Sequence, residues 1–182
     1  RGFNAEMAER WLIGWMPDNS ALFLNWAREK GFKGRELCQA GLAGQRDENN
    51  PKAGLWVRFG NRLMFPIHND YGDIIAFSGR QLVIDKNSGK YINSPQTQIF
   101  DKSRTLFGLD KARKHMTKAK FALVCEGQID AIVCYEKGIQ NAIAPLGTAC
   151  TEHHARLLKR YTSEAVLCYD AKLTVRILLY FT

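Results

Sequence analysis

One short stretch constrains the fold of this chain more than any other. Residues 121–131 read FALVCEGQIDA, so an apolar run typical of a strand leads into Glu126 and Gly127. Helical spacing and a second acid, Asp130, follow at once. In open parallel α/β sheets, ligands bind where strands end and helices begin. The stretch therefore predicts a strand, a turn and a helix, with a candidate ligand site at Glu126.

The same pattern recurs later in the chain, where residues 165–169 read AVLCY and lead into Asp170. If the two strands are parallel neighbours, Glu126 and Asp170 lie at one edge of the sheet, and carboxylate oxygens there suit Mg²⁺ and phosphoryl transfer. Each acid has a structural alternative, because a strand-end acid can cap the next helix and a helix dipole stabilises Asp130. Three acids together favour a metal site, since a divalent cation offsets their repulsion.

Composition narrows the possible partners and sites. The 182 residues carry a formal net charge of +8, which favours a polyanionic partner. The five cysteines include no CxxC pair, so we expect neither a zinc site nor a disulfide framework, and reduced thiols indicate the cytoplasm. The sequence has no apolar run of membrane-spanning length, so no membrane partner is expected. A GxxxxGK[ST] phosphate loop is also missing, which excludes a P-loop ATPase.

The first forty residues predict three helices. The first presents an apolar face made by Ala8, Trp11, Leu12 and Trp15, and Pro17 ends it. The second follows the capping residues 18–20, and the third covers about residues 34–40. We expect the tryptophans of this region to pack in the core.

A polar loop at residues 45–54 separates these helices from a predicted β-meander. Its five strands are expected at residues 55–59, 63–67, 74–79, 81–84 and 90–93. Basic residues lie near the strand ends, where they could point into one groove. The following stretch, 101–120, is rich in Lys and Arg, which is typical of a solvated helix face and is also compatible with phosphate contacts.

The last third of the chain alternates strands and helices. After Glu126 we expect a helix at residues 129–137, a strand at 141–144, a helix capped by Thr151 and the strand before Asp170. This order predicts a parallel sheet with right-handed crossovers. His153 and His154 are adjacent, so they diverge on a helix and are expected at the surface without a shared metal.

Several segments together resemble one known family. VCEGQIDAI, NAIAPLGTACTEHHARLL and AVLCYDA are similar to the Toprim module of bacterial DnaG-type primases, whose usual motifs are EGYMD, an SLGT-like turn and YDxDxAG. RLMFPIHNDYGDIIAFSGR, KYINSPQTQIFDKSRTLFGLDKAR and the opening RGFNAEMAERWLIGWMPD resemble the segment that precedes Toprim in that family. The likeness covers about residues 1–171.

The resemblance implies an α/β fold in two parts. Residues 1–117 would be an α+β N-terminal subdomain with the β-meander, and residues 118–182 a Toprim parallel sheet that is incomplete at its end. The implied enzyme is a DNA-directed RNA polymerase, a primase that synthesises short RNA primers from ribonucleoside triphosphates on single-stranded DNA. Mg²⁺ or Mn²⁺ would be its cofactor, and a replicative helicase would bind through regions absent from this chain, as would the family's zinc.

The resemblance also carries residue roles. Glu126 would be the catalytic acid, Asp130 would support it, and Glu126 and Asp170 would hold the metal. The positions that match the family's template and nucleotide groove are Arg62, Arg80, Lys90, Asn93, Lys102 and Arg104.

One position departs from the family pattern. The pattern places a second aspartate two residues after Asp170, but this chain has Lys172, followed by an apolar tail through Thr182. An ammonium group there would weaken divalent-cation binding, so we expect a fragment with a truncated or frame-shifted end that does not itself polymerise. The alternatives are a primase-like domain of a phage or plasmid replication protein and a non-catalytic module that binds single-stranded DNA.

Overall fold

The structure, a computed structural model, describes residues 2–47, 49–83, 88–147, 149–169 and 178–180. Its α-helices are α1 (Ala5–Arg10), α2 (Ser20–Glu29), α3 (Gly34–Gln39), α4 (Leu109–Ala119), α5 (Gln128–Glu136) and α6 (Glu152–Leu158). Its strands are β1 (Gly14–Met16), β2 (Ala43–Gln45), β3 (Leu55–Val57), β4 (Arg62–His68), β5 (Ile74–Gln81), β6 (Tyr91–Asn93), β7 (Ala122–Cys125), β8 (Ala142–Ile143), β9 (Glu164–Cys168) and β10 (Leu178–Tyr180). None of these helices has the length and apolar character needed to cross a bilayer.

The chain divides into two compact units that are not continuous in sequence. The first contains Phe3–Pro66 and Ala76–Ile99, and the second contains Ile67–Ile75 and Phe100–Thr182, with the first two residues of the chain. The tip of the β4–β5 hairpin thus belongs to the second unit, although the rest of that hairpin belongs to the first. The predicted boundary between residues 117 and 118 stays a prediction.

The first unit is built around a sheet in the order β1-β4-β5-β6, in which β1 pairs antiparallel with β4 and β5 pairs antiparallel with β6. A separate antiparallel pair, β2 and β3, packs beside α2 and α3. The small core at this place consists of Ala27, Leu37 and Ala43, with partly buried apolar side chains around them. Helix α2 begins where the Asn19 side chain accepts a hydrogen bond from the Ala21 N–H, at 3.0 Å.

The predicted meander is wrong in two places. The first predicted strand, β3, pairs with β2 and takes no part in the β4–β5–β6 sheet. The predicted strand at residues 81–84 is also not separate, because β5 continues through Gln81, whose N–H donates to the Lys90 carbonyl at 3.0 Å. Residue 84 itself lies outside the described residues. Strand pairing is decided by partners far away in sequence, which local alternation cannot identify.

The first predicted helix is also shorter than its apolar spacing indicated. Helix α1 ends at Arg10, and Leu12 adopts a positive φ of 53°, which redirects the chain into β1. Trp15 therefore pairs with Leu63 on β4 and is 47% exposed, whereas Trp11 is buried. Trp26 is half exposed as well, so only Trp11 confirms the expectation that the tryptophans of this region pack in the core. The backbone hydrogen bonds offered by β4 outweigh the helical periodicity of these residues.

The second unit contains the predicted alternation of strands and helices. Strands β8, β7 and β9 are parallel, and β10 joins β9 in the antiparallel direction, giving the order β10-β9-β7-β8. Helix α4 buries Leu109, Ala112 and Met116 in the same core cluster as Val124 of β7 and Ile143 of β8. This apolar layer holds the parallel strands in place, and it leaves their carboxyl ends for polar residues.

Candidate active site and nucleic-acid interface

Glu126 lies where the sequence predicted it, directly after the central parallel strand β7. Its side chain is exposed, and Gly127 follows as the extended residue that begins α5. A Cβ placed on Gly127 would lie 3.4 Å from an Asp130 carboxylate oxygen, so the Asp130 side chain rests against this turn. Glu126 and Asp130 are therefore held at one end of α5, where the positive end of the helix dipole favours negative charge.

The neighbouring strand β9 ends beside the same turn. Cys125 and Cys168 are partners in the parallel register, so the residues that follow them, Glu126 and Tyr169, are adjacent at the edge of the sheet. Burial raises the pKa of the Tyr169 phenol, and the nearby Cys150 and Glu126 groups raise it further. Asp170, the predicted third acid, lies outside the described residues, as does Lys172.

The residues at this edge have the donor chemistry of a hard cation site. Glu126 and Asp130 offer carboxylate oxygens, which Mg²⁺ and Mn²⁺ prefer over sulfur or aromatic nitrogen. Within the described ranges, no three His, Cys, Asp or Glu side chains are arranged to hold a metal ion. The described acids therefore fit part of a metal site.

Gln128 is a residue near this edge that the sequence reasoning did not single out. It lies in the first turn of α5, it is 7% exposed, and its amide nitrogen has no hydrogen-bond partner among the described residues. A buried donor without a partner is unusual, because it costs free energy to remove an amide from water. Burial cannot be recognised from a single glutamine in the sequence, and the only local signal is its position between the two acids.

Lys102 and Arg104 lie on a short ordered loop that precedes α4. Asp101 organises this loop, since one of its carboxylate oxygens accepts hydrogen bonds from the Ser103 N–H at 2.8 Å and the Ser103 hydroxyl at 2.7 Å. These bonds to Ser103 lower the pKa of the Asp101 carboxyl. The Lys102 side chain is exposed and that of Arg104 is 65% exposed. The loop therefore fixes the backbone and presents two cations to solvent.

His154 fastens this loop to α6, which corrects the expectation that it lies at the surface. The side chain is fully buried, and Nδ1 accepts from the Thr151 N–H at 3.2 Å. Nε2 therefore carries the proton and donates to the Lys102 carbonyl at 3.1 Å. The Thr151 hydroxyl donates to the Ser103 carbonyl at 2.6 Å. Burial lowers the pKa of His154, so the ring is held in its neutral form. His153 is exposed as expected.

Arg62 is buried in the first unit, although a residue that lines a nucleic-acid groove was expected to be exposed. The residue is 4% exposed, and one of its terminal nitrogens donates to the Gly89 carbonyl at 3.0 Å and to the Gly79 carbonyl at 3.3 Å. The other donates to the Ser88 hydroxyl at 2.6 Å. The guanidinium group thus holds the residues before β6 against β5. Its predicted contact with nucleic acid stays a prediction.

The other predicted groove residues of the first unit lie on the paired strands β5 and β6 and at the residue directly before β6. The Arg80 guanidinium lies 5.4 Å from the centre of the Tyr91 ring, its partner in the strand register. The Lys90 side chain is exposed and that of Asn93 is partly buried. Arg80 and Lys90 could reach a phosphate from one end of these strands.

Three cysteines of the second unit gather beneath the Glu126 turn without a disulfide among the described residues. The Cys125 and Cys134 sulfur atoms are 3.9 Å apart. Burial raises the pKa of both thiols, and Cys168, on the neighbouring strand, adds to the effect. Protonated thiols are poor nucleophiles and metal ligands, so Cys125 and Cys134 serve the packing of β7 against α5, whereas Cys168 is exposed at the end of β9.

Comparison with known proteins decides the family. A family profile described as the DNA primase catalytic core, N-terminal domain, matches residues 1–113. The chain belongs to the DNA primase family. A second profile, described as Toprim-like, matches residues 123–173. A protein named DNA primase from Listeria monocytogenes is 42% identical over 171 residues, which cover 93% of this chain and 26% of that relative.

Solved structures of primases share the fold. The RNA polymerase domain of Mycobacterium tuberculosis primase DnaG, in complex with a double-stranded DNA oligomer that has a 6-nucleotide overhang, superposes with a TM-score of 0.85 at 30% identity. The match covers 94% of this chain and 54% of that one. A DnaG primase catalytic domain bound to ssDNA gives a TM-score of 0.79 at 34% identity, covering 94% of this chain and 51% of that one. These findings confirm the predicted α/β fold of a primase core with a Toprim-like sheet.

The chain spans about a quarter of the length of the curated relatives that it matches, 26% for the Listeria protein.

Proposed function

We propose that this chain is part of a primase that synthesises short RNA primers on single-stranded DNA. The observation that carries the proposal is the pair Glu126 and Asp130, placed at the carboxyl end of the central parallel strand in a chain of the primase family. Relatives named DNA primase favour this enzyme over a non-catalytic DNA-binding module. The expected setting is the bacterial cytoplasm, with a replicative helicase as a partner of the whole protein.

In the proposed reaction, the 3′-hydroxyl of the growing primer attacks the α-phosphorus of a ribonucleoside triphosphate. A new phosphodiester bond forms, the bond to the β-phosphate breaks, pyrophosphate leaves, and the hydroxyl proton passes to water. Glu126 and Asp170 would hold Mg²⁺, which when bound stabilises negative charge on the phosphate oxygens. Asp130, whose carboxylate lies against the Glu126 turn, would support Glu126 by adding negative charge beside it.

The basic residues would hold the nucleic acid. Lys102 and Arg104 present exposed cations from the loop that His154 binds, Lys90 is exposed directly before β6, and Arg80 is partly buried on β5. Contacts of this kind fix the position of a phosphate backbone without reading its sequence. A single-stranded DNA template and ribonucleoside triphosphates are the polyanions that each of these two groups of cations would bind.

A metal titration tests the role of Glu126. Mn²⁺ has unpaired electrons, so the free ion can be counted by electron paramagnetic resonance as it is added to the protein. We expect Glu126→Gln, which keeps the size of the side chain and removes its charge, to weaken Mn²⁺ binding by about ten-fold or more. Glu152→Gln is the matched control, because Glu152 is a 78% exposed glutamate that pairs with Arg156 on its own helix.

Equal Mn²⁺ affinity in the Glu126→Gln variant and the unchanged protein would contradict the metal role of Glu126. Loss of affinity in both variants would show that the effect is one of net charge and not of the site. Mn²⁺ binding by the unchanged chain would also show that Lys172 does not prevent a metal site from forming.

A further inference from the structure

An apolar groove lies in the first unit, and none of its lining residues has a role assigned above. It is formed by α2, α3 and the start of β3, with Leu24, Leu37 and Leu55 among its lining residues. Its volume is about 600 Å³, within the range of pockets that bind ligands or the side chains of a partner. Gly31 and Gly54 line it too, and neither has any atom within 4 Å of where a Cβ would stand, so the groove is open at both.

The groove is unusual for a protein surface because an aromatic side chain beside it is exposed to solvent. Phe32 lines the groove and is 51% exposed. Covering a large apolar side chain that water now reaches would contribute favourably to binding, and exposed apolar patches of this kind mark interaction sites. Leu37, another lining residue, is buried in the small core with Ala27 and Ala43, so the floor of the groove belongs to that core.

The charges at the rim have one sign. Of the residues that line this groove in the described part of the chain, Arg28 and Lys33 are the charged ones, and both side chains are exposed. The nearest acid of α3, Glu36, is already engaged, since its carboxylate accepts a hydrogen bond from the Lys33 N–H at 2.7 Å. An apolar floor with two cations at the rim is complementary to apolar side chains flanked by carboxylates.

We propose that this groove, the α2–α3 groove, binds an acidic segment of a partner protein that inserts one or two large apolar side chains. Its apolar residues cover Phe32 and enter the space above Leu24 and Leu55, while its Asp or Glu residues pair with Arg28 and Lys33. Nucleic acid fits less well, because Phe32 is the one aromatic lining residue of the described groove and two cations do not form a track for a phosphate backbone.

Fluorescence anisotropy with a labelled synthetic peptide tests the proposal on the 182-residue chain. The probe is a peptide of about twelve residues in which Leu and Phe alternate with pairs of Asp and Glu, and its control replaces every acid by Lys. We expect the acidic peptide to bind and the basic one to fail. The double variant Arg28→Glu/Lys33→Glu is expected to weaken binding by about ten-fold at low salt, and less at high salt because the charges are screened.

Matched variants test whether peptide binding depends on this groove or only on net charge and nonspecific apolar contact. Lys30→Glu/Arg35→Glu makes the same change of net charge at exposed residues that do not line the groove, so binding should stay unchanged. Phe32→Ala should weaken binding several-fold, whereas Leu22→Ala, an equally exposed apolar residue on α2, should not. Circular dichroism confirms that each variant is folded.

Three results would overturn the proposal. The first is equal loss of binding in the two charge-reversal variants, which would mean that the peptide senses only net charge. The second is displacement of the peptide by a single-stranded oligonucleotide whose own binding requires Arg28 and Lys33, which would assign the groove to nucleic acid. The third is a dimer in sedimentation velocity that Phe32→Ala dissociates, which would assign the groove to a second copy of this chain.

Discussion

Two arginines of this chain, Arg62 on β4 and Arg104 in the loop before α4, were predicted to do the same thing and lie in opposite environments. Arg62 is 4% exposed and donates hydrogen bonds to the carbonyls of Gly79 and Gly89 and to the Ser88 hydroxyl. The Arg104 side chain is 65% exposed, and its contact with Asp101 is 3.7 Å long. One cation is part of the framework, and the other is available to a ligand.

The difference shows that residue type and nearby turns do not decide the role of a cation. A buried guanidinium is stable only when protein groups replace the water it has lost, and the β5–β6 region supplies those groups to Arg62. The loop around Arg104 uses the backbone of its residues for bonds to Thr151 and His154, so its cations stay in solvent. Substitution of Arg62 should therefore reduce stability, whereas substitution of the cations in the loop of Arg104 should reduce nucleic-acid binding.

The largest effect is expected at Arg62. Arg62→Ala removes a buried guanidinium and leaves the Gly79 and Gly89 carbonyls and the Ser88 hydroxyl without this donor, and it should lower the free energy of unfolding by about 3 kcal/mol. Arg62→Lys keeps the charge but loses the fork of donors, so it should lose about half as much. Urea denaturation followed by circular dichroism measures both. A loss of stability near zero for Arg62→Ala would contradict the framework role of Arg62 and would favour its predicted contact with nucleic acid instead.

The second effect is the pH dependence that His154 confers. Its folded pKa lies below the ordinary value of 6.5 because the ring is buried, so the unfolded chain binds a proton more readily than the folded chain. Its contribution is full above pH 6.5 and decreases as the pH falls from there towards the folded pKa. For this one group the slope has an upper limit of about 1.4 kcal/mol per pH unit.

Unfolding by urea at about pH 7.5, 6.5 and 5.5 measures this slope, with His154→Gln as the variant that removes it. His153→Gln, at the exposed neighbouring position, should keep the slope of the unchanged protein. The charged groups near the ring, Asp101 and His153, act in opposite directions on its pKa. An identical pH dependence in His154→Gln and the unchanged protein would show that the ring does not titrate as its burial requires.

The smallest effect on stability, with a clear effect on binding, is expected in the loop. Lys102→Ala/Arg104→Ala should leave the free energy of unfolding unchanged within error, because exposed cations contribute little. Affinity for a labelled single-stranded oligonucleotide should fall, and the slope of log K against log salt should become shallower by about 0.7 for each phosphate that is no longer neutralised. Lys114→Ala/Lys118→Ala, on the exposed face of α4, is the matched control and should change neither. Equal losses of affinity in both pairs would mean that binding follows net charge alone.

Local sequence was most informative where the structure is local. The run from Ala122 to Asp130 forms a strand, a turn and a helix as predicted, because its apolar strand, its glycine and its helical spacing all favour that order. The adjacency of β7 and β9, with parallel direction, is also confirmed. The same reasoning was wrong at Trp15, where the pairing partner β4 lies far away in sequence.

In the candidate site, too, the features that depend on adjacent residues were predicted and those that depend on distant residues were not. The acids Glu126 and Asp130 could be placed at the end of a strand and the start of a helix, since both positions follow from adjacent residues. The burial of His154 and Gln128 could not be predicted, because it depends on which loop and which strands pack against their helices. The position of Asp170 at this edge stays a prediction.

The amino-acid sequence by itself determined the strand–turn–helix unit, the acids within it and the family to which the chain belongs. These properties reside in neighbouring residues and in motifs. Only the tertiary structure decided that Arg62 is a buried framework residue, that His154 fastens the loop carrying Lys102, and that Phe32 stands open beside an apolar groove. The physical reason is desolvation: whether a polar or apolar group is stabilised depends on the water it loses and on the distant residues that replace that water.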